Sequence, residues 1–145
     1  MGFVCQGRYA LAPIEPTDAE KYVNLQLDCM EQTYDPIYFD TLGESFTTRH
    51  RAERNEYLED FHRHLSSPTV RGFFAYEVPG WTPDGGLSCS IGARINWDKP
   101  VGLALSLCEP SSWELERAES LPELPAGTRK LVHLYTLNHT HGTGL

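Results

Sequence analysis

Two helical stretches in succession, followed by a series of apolar strands, constrain this chain more than any other feature of its sequence. A doubly wound sheet alternates strand and helix, because each parallel crossover needs a helix. Here one strand leads, two helices follow with no strand between them, and the remaining strands come one after another. That order predicts an α+β fold and not a doubly wound one.

The elements can be placed from their punctuation. Residues 9–14 form a short apolar strand closed by Glu15-Pro16. Thr17-Asp18-Ala19-Glu20 reads as a capping box, with Glu20 reaching back to Thr17. Ala19, Tyr22, Val23, Leu27 and Met30 recur at helical spacing, which predicts an amphipathic helix over residues 18–32. Asp35-Pro36 is expected to break it, leaving a linker over 36–48. A second helix is expected over 48–65, striped by Tyr57, Leu58, Phe61 and Leu65 and stopped by Ser66-Ser67-Pro68. Residues 70–78, 101–108 and 130–137 are strands by composition. Between them, 91–97 fits a hairpin strand or an insertion, and 109–128 reads as a long loop with one helical turn at 113–119.

The length of 145 residues suits one domain. A formal charge of −8 argues against non-specific binding of nucleic acid. No apolar run reaches the roughly 18 residues that span a bilayer, and the N-terminus has neither the basic flank nor the apolar core of a signal peptide. Cys5, Cys29, Cys89 and Cys108 are scattered without metal-type pairing, which points to reduced thiols and a cytoplasmic protein. An acidic surface suits a cationic partner, such as an amine or a basic peptide, and equally suits plain solubility.

The stretch His139-Thr140-His141-Gly142-Thr143-Gly144-Leu145 follows the last apolar strand. Gly142 and Gly144 let the backbone approach an anion closely, and Thr143 adds a hydroxyl. A Walker A loop is excluded because no lysine precedes the threonine. A dinucleotide fingerprint would follow the first strand, not the last. His133, His139 and His141 fall at odd spacing, but a metal needs a further convergent ligand, and no metal site is expected.

Taken with the strand–helix–helix–strand–strand–strand order, this loop resembles the acyl-CoA motif of the GNAT family of N-acetyltransferases. That motif reads Gln/Arg-x-x-Gly-x-Gly/Ala and joins the fourth core strand to the third helix. His141 stands at the Gln/Arg place, Gly142 and Thr143 at the variable places, Gly144 at the first glycine and Leu145 at the next variable place. The motif's last small residue falls beyond Leu145. The resemblance extends over nearly the whole chain and implies one partial domain, residues 1–145, with two N-terminal helices on a mixed, mainly antiparallel sheet, truncated after the fourth core strand. It implies transfer of an acetyl group from acetyl-CoA to a primary amine of a small molecule or protein.

On that likeness, Tyr135, Thr136 and Leu137 would pair with the pantetheine arm as an added strand. Backbone N–H groups of His141, Gly142, Thr143, Gly144 and Leu145 would meet the pyrophosphate. An N–H near the strand's bulge would polarise the thioester carbonyl. His133, beside the thioester, becomes a candidate base or substrate contact; a partly buried histidine bonded to backbone is the alternative. Glu31, Tyr34 and Asp35 would border the acceptor pocket, Tyr34 as wall and the carboxylates as holders of a cationic amine; packing of the helix linker is the alternative. The family's thiolate-protonating tyrosine lies on a later helix. The chain as it stands is therefore expected to be inactive or poorly folded, with its last strand an open edge. The rival reading is a non-enzymatic module whose acidic face and loop tryptophans Trp81, Trp97 and Trp113 bind a basic partner.

Overall fold

The computed structural model describes residues 2–84, 94–108 and 125–145. The elements in chain order are β1 (Val4–Gln6), β2 (Tyr9–Pro13), α1 (Ala19–Leu42), α2 (Phe46–Ala52), α3 (Arg54–Leu65), β3 (Arg71–Glu77), β4 (Gly102–Leu107) and β5 (Lys130–Thr136). The helical turn expected at 113–119, residues 91–93 of the ambiguous 91–97 segment, Cys89 and Trp113 lie outside the described residues, and 94–97 forms no strand. The fold is α+β.

The strands lie side by side in chain order, and every described pairing is antiparallel, not mixed. The whole helical excursion from β2 to β3 returns the chain antiparallel to the strand it left. β1 was not expected from sequence, since three residues are too few to show alternation. It arises from a two-residue turn at Gly7-Arg8, where Gly7 supplies φ +63°, as a type II′ hairpin requires.

The helices depart from expectation at three points. The cap sits earlier than the 17–20 spacing implies: Asp18 Oδ2 accepts from the Glu15 N–H at 2.9 Å, across a 3-10 turn at Pro16–Asp18. Residues 48–65 form two helices, broken where Glu53 leaves helical ψ (φ −88°, ψ 11°). Asp35-Pro36 does not end α1, which runs to Leu42 and stops at Gly43, in the left-handed region at φ 69°. Pro36 has no N–H to give the carbonyl of Gln32. That carbonyl instead accepts from Asn138 Nδ2 at 3.3 Å, and Gln32 Oε1 accepts from the Asn138 N–H at 2.8 Å. A residue after β5 thus serves the carbonyl that the proline leaves free, and the same pair of bonds ties the end of the sheet to α1.

Alternation along the strands gathers Ala10, Ala12, Phe74, Tyr76, Leu103 and Leu105 on one face, under Tyr22, Val23 and Leu27 of α1 and Phe61 and Leu65 of α3. Tyr22 is fully buried, its ring 4.1 Å from Phe61 and 6.3 Å from Phe74. Burying side chains of this size contributes about 1.5–3 kcal/mol each. The opposite face shows Phe73, Leu131 and Leu134 to solvent. Trp97 anchors the turn before β4, with ring contacts to Tyr76 at 4.9 Å and Phe3 at 5.1 Å. Register between β4 and β5 slips once: Leu105 faces His133 but Ser106 faces Leu131, so Val132 is the extra residue of a bulge in β5.

Candidate functional site

β5 leads into a 3-10 turn at Asn138–Thr140 and then into the glycine loop. Thr140 is buried and secures the turn, its hydroxyl donating to the Leu137 carbonyl at 2.7 Å. The His141 N–H donates to the Asn138 carbonyl at 3.1 Å and the Thr143 N–H to the Thr140 carbonyl at 3.2 Å. The Thr143 hydroxyl, expected to face an anion, instead turns inward to the Tyr9 hydroxyl and the Thr140 carbonyl. Gly142 and Gly144 take φ of 75° and 92°, which few other residues adopt. Among the described residues, the N–H groups of Gly142, Gly144 and Leu145 have no internal acceptor. The five donors expected at 141–145 therefore divide into three open and two engaged.

The end of the loop settles on the sheet at Gly102. A Cβ there would lie 3.0 Å from Leu145 Cδ2 and 3.2 Å from the Tyr135 carbonyl, so the bare α-carbon makes room. β5 pairs with β4 on one side, and among the described residues no strand lies on its other side. The Leu137 N–H points inward, to the Val101 carbonyl at 2.9 Å. Strand alternation then turns the N–H of Thr136, and that of Leu134 before it, toward the open edge. Of the three residues expected to pair with a ligand, Thr136 carries the outward donor, while Tyr135 and Leu137 face β4.

The middle of β5 is closed. His133 Nδ1 lies 2.7 Å from the Tyr22 hydroxyl, and its ring sits 5.5 Å from Phe61 and 5.6 Å from Tyr135. Burial, with His64 nearby adding to it, pulls the His133 pKa down to about 4. Burial also pushes Tyr22 well above the ordinary tyrosine range. At neutral pH the pair is an uncharged imidazole hydrogen-bonded to a protonated phenol. An imidazole with so little proton affinity is a poor base. Gln26 Nε2 donates to the Tyr135 hydroxyl at 3.4 Å beside it, and the buried Nδ1 of His64 has no partner among the described residues. Sequence marks Tyr22 only as a stripe residue, because its partner is 111 positions away.

The three histidines do not converge. His139 Nε2 lies 3.5 Å from Glu77, His141 is exposed, and no metal-binding group of three side chains occurs among the described residues. Cys5, Cys29 and Cys108 are free thiols, and burial pushes that of Cys29 up to about 12.

Glu31, Tyr34 and Asp35 frame a corner between α1 and α2. The Arg51 guanidinium donates to Glu31 and, at 3.0 Å, to Asp28. Asp35 is buried and accepts from the Thr47 N–H at 2.9 Å, the Thr47 hydroxyl at 2.7 Å and the Ser45 hydroxyl at 2.8 Å. Burial alone would raise its pKa; the bonds from Thr47, Ser45 and the Phe46 N–H outweigh that and hold the carboxyl below its usual value. Tyr34 is half-exposed, its ring 5.0 Å from Phe46, which also meets Tyr38 at 4.7 Å. Both carboxylates are engaged within the protein, and the aromatic wall is the part open to solvent.

No helix among the described residues is long and apolar enough to cross a membrane. No protein-family model matches the chain, and no curated protein matches it.

Proposed function

We propose that this chain is a GNAT-type N-acyltransferase, moving an acetyl group from acetyl-CoA to a primary amine of a small molecule or protein. The observation that carries this reading is the end of β5, where an outward Thr136 N–H is followed by open donors at Gly142, Gly144 and Leu145. A pantetheine arm offers amides to such an edge, and a pyrophosphate offers oxygens to such a loop. The bulge at Val132 supports it further, since a bulge leaves a main-chain group outside the ladder, as a thioester carbonyl would require.

In the proposed reaction the neutral amine attacks the thioester carbonyl, and the developing oxyanion accepts a backbone N–H. Collapse breaks the C–S bond and expels the thiolate of coenzyme A, which takes up a proton; the new amide loses the proton of the amine. Water carries that proton, since His133 is bonded to the buried Tyr22 hydroxyl and packed beside Phe61, away from the open edge. Tyr34 and Tyr38 would wall the acceptor, while Glu31 and Asp35 keep that wall in shape through Arg51 and Thr47.

The test is thiol release from acetyl-CoA with a panel of primary amines. Amine-dependent release that falls in Gly144→Val, with the circular dichroism spectrum unchanged, is the result this proposal expects, and it would overturn the sequence-based expectation of an inactive chain. Absence of release with every amine, together with no effect of coenzyme A on thermal unfolding, would refute the proposal.

A further inference from the structure

We propose that the cleft between the Asn96–Lys99 turn and the start of the glycine loop binds a dianionic phosphate group. The cleft has a volume of about 520 Å³, and Arg94, Lys99 and His139 line it against one carboxylate, Glu77. In a chain of net charge −8 such a concentration of basic groups is unexpected. Glu77 is already shared, lying 3.6 Å from Arg8 and 3.5 Å from His139. Arg94 and Lys99 have no carboxylate partner among the described residues. The nearby Asp98 lines only the neighbouring groove along α1, which shares Lys99, Pro100 and Leu137 with this cleft.

The position of Lys99 is set by the turn that carries it. Its N–H donates to the Asn96 carbonyl at 3.1 Å, and the Asp98 N–H donates to Asn96 Oδ1 at 3.2 Å. Ile95, Pro100 and Val101 are buried around this turn, so Lys99 stands on a fixed base, with Arg94 next to the buried Ile95. Val101, Pro100 and Leu137 give the cleft an apolar side for the organic part of a ligand. Two cations sharing a cleft with no carboxylate partner among the described residues repel each other, and a doubly charged anion relieves that repulsion where a single carboxylate relieves half of it. Arginine offers a planar fork to phosphate oxygens and lysine a point charge, the usual division of work at such sites. The inference needs only these residues and stands apart from the acyl-transfer reading.

The experiment is a calorimetric titration of the full chain with inorganic pyrophosphate at low ionic strength, repeated on the double variant Arg94→Gln/Lys99→Gln and on Gly144→Val, where unchanged binding excludes the glycine loop as its source. Both residues are exposed, so the melting temperature without ligand should match that of the wild type. Saturable binding that weakens at least about tenfold in the double variant is expected. Titrations with adenosine monophosphate and with a sugar phosphate then show which organic part the apolar side favours. Equal binding by the double variant, no saturation in the wild type, or succinate binding as tightly as pyrophosphate would each overturn the site. Loss of acetyl transfer with pyrophosphate binding retained would count against the transferase reading alone.

Discussion

The middle and the end of β5 treat their polar groups in opposite ways. At His133 the Tyr22 hydroxyl meets Nδ1, and the rings of Phe61 and Tyr135 close the space around it. At Gly142, Gly144 and Leu145 the backbone donors stay open, among the described residues, and the loop around them is fixed by Thr140, Thr143 and Asn138. The difference is cover: α1 and α3 lie over the first region and leave the second bare. Cover removes a titratable group from chemistry by making its charged form unfavourable. An uncovered loop keeps its donors available, because water satisfies them until a ligand replaces it.

That contrast can be broken most forcefully at Phe61. Phe61→Ala should cost about 3–5 kcal/mol of stability in urea unfolding, by opening a cavity beside Tyr22 and His133. A loss near zero would mean that the middle of β5 is not closed. Tyr22→Phe is gentler, leaving His133 Nδ1 buried without its partner at a cost of about 1–3 kcal/mol. Coenzyme A affinity of the folded variant should stay within about twofold, since the two regions share no bond.

The pH dependence comes next. His133 titrates at about 4 when folded, against an ordinary value of 6.5, so between those values the unfolded chain binds the extra proton. Its contribution to stability is therefore full above about pH 6.5 and declines as pH falls toward 4, by roughly 1–2 kcal/mol once partial exposure is allowed for. Unfolding of wild type and His133→Gln across this range should reveal the difference; parallel curves would contradict it. The smallest effect on stability, about 1 kcal/mol, belongs to Asn138→Ala, which strands the Gln32 carbonyl and loosens the open loop. Amide exchange should then rise over 138–144 while 131–136 stays protected.

Much of the closed region was legible in the sequence. The strands expected at 70–78, 101–108 and 130–137 match β3, β4 and β5 within about two residues, because their apolar, β-branched and aromatic composition is a local property. What failed depended on distant residues. Continuation of α1 through Pro36 relies on Asn138, more than a hundred positions away, and the capping duty of Asp35 relies on Thr47. Glycines announced the loop, but nothing local reveals that the Thr143 hydroxyl turns toward Tyr9 and away from solvent. The carboxylates at 31 and 35 looked free for the same reason, since Arg51 and Thr47 reach them only across the α1–α2 corner.

On this reading the bare end of β5 receives an acyl-CoA. Its most direct measurement is the melting temperature of the whole chain with rising coenzyme A, compared with Gly144→Val. A ligand that binds only the folded state raises that temperature with concentration. Such a rise is expected in the wild type and a much smaller one in the variant; a wild-type melting temperature that does not move with coenzyme A would rule out binding at the end of β5.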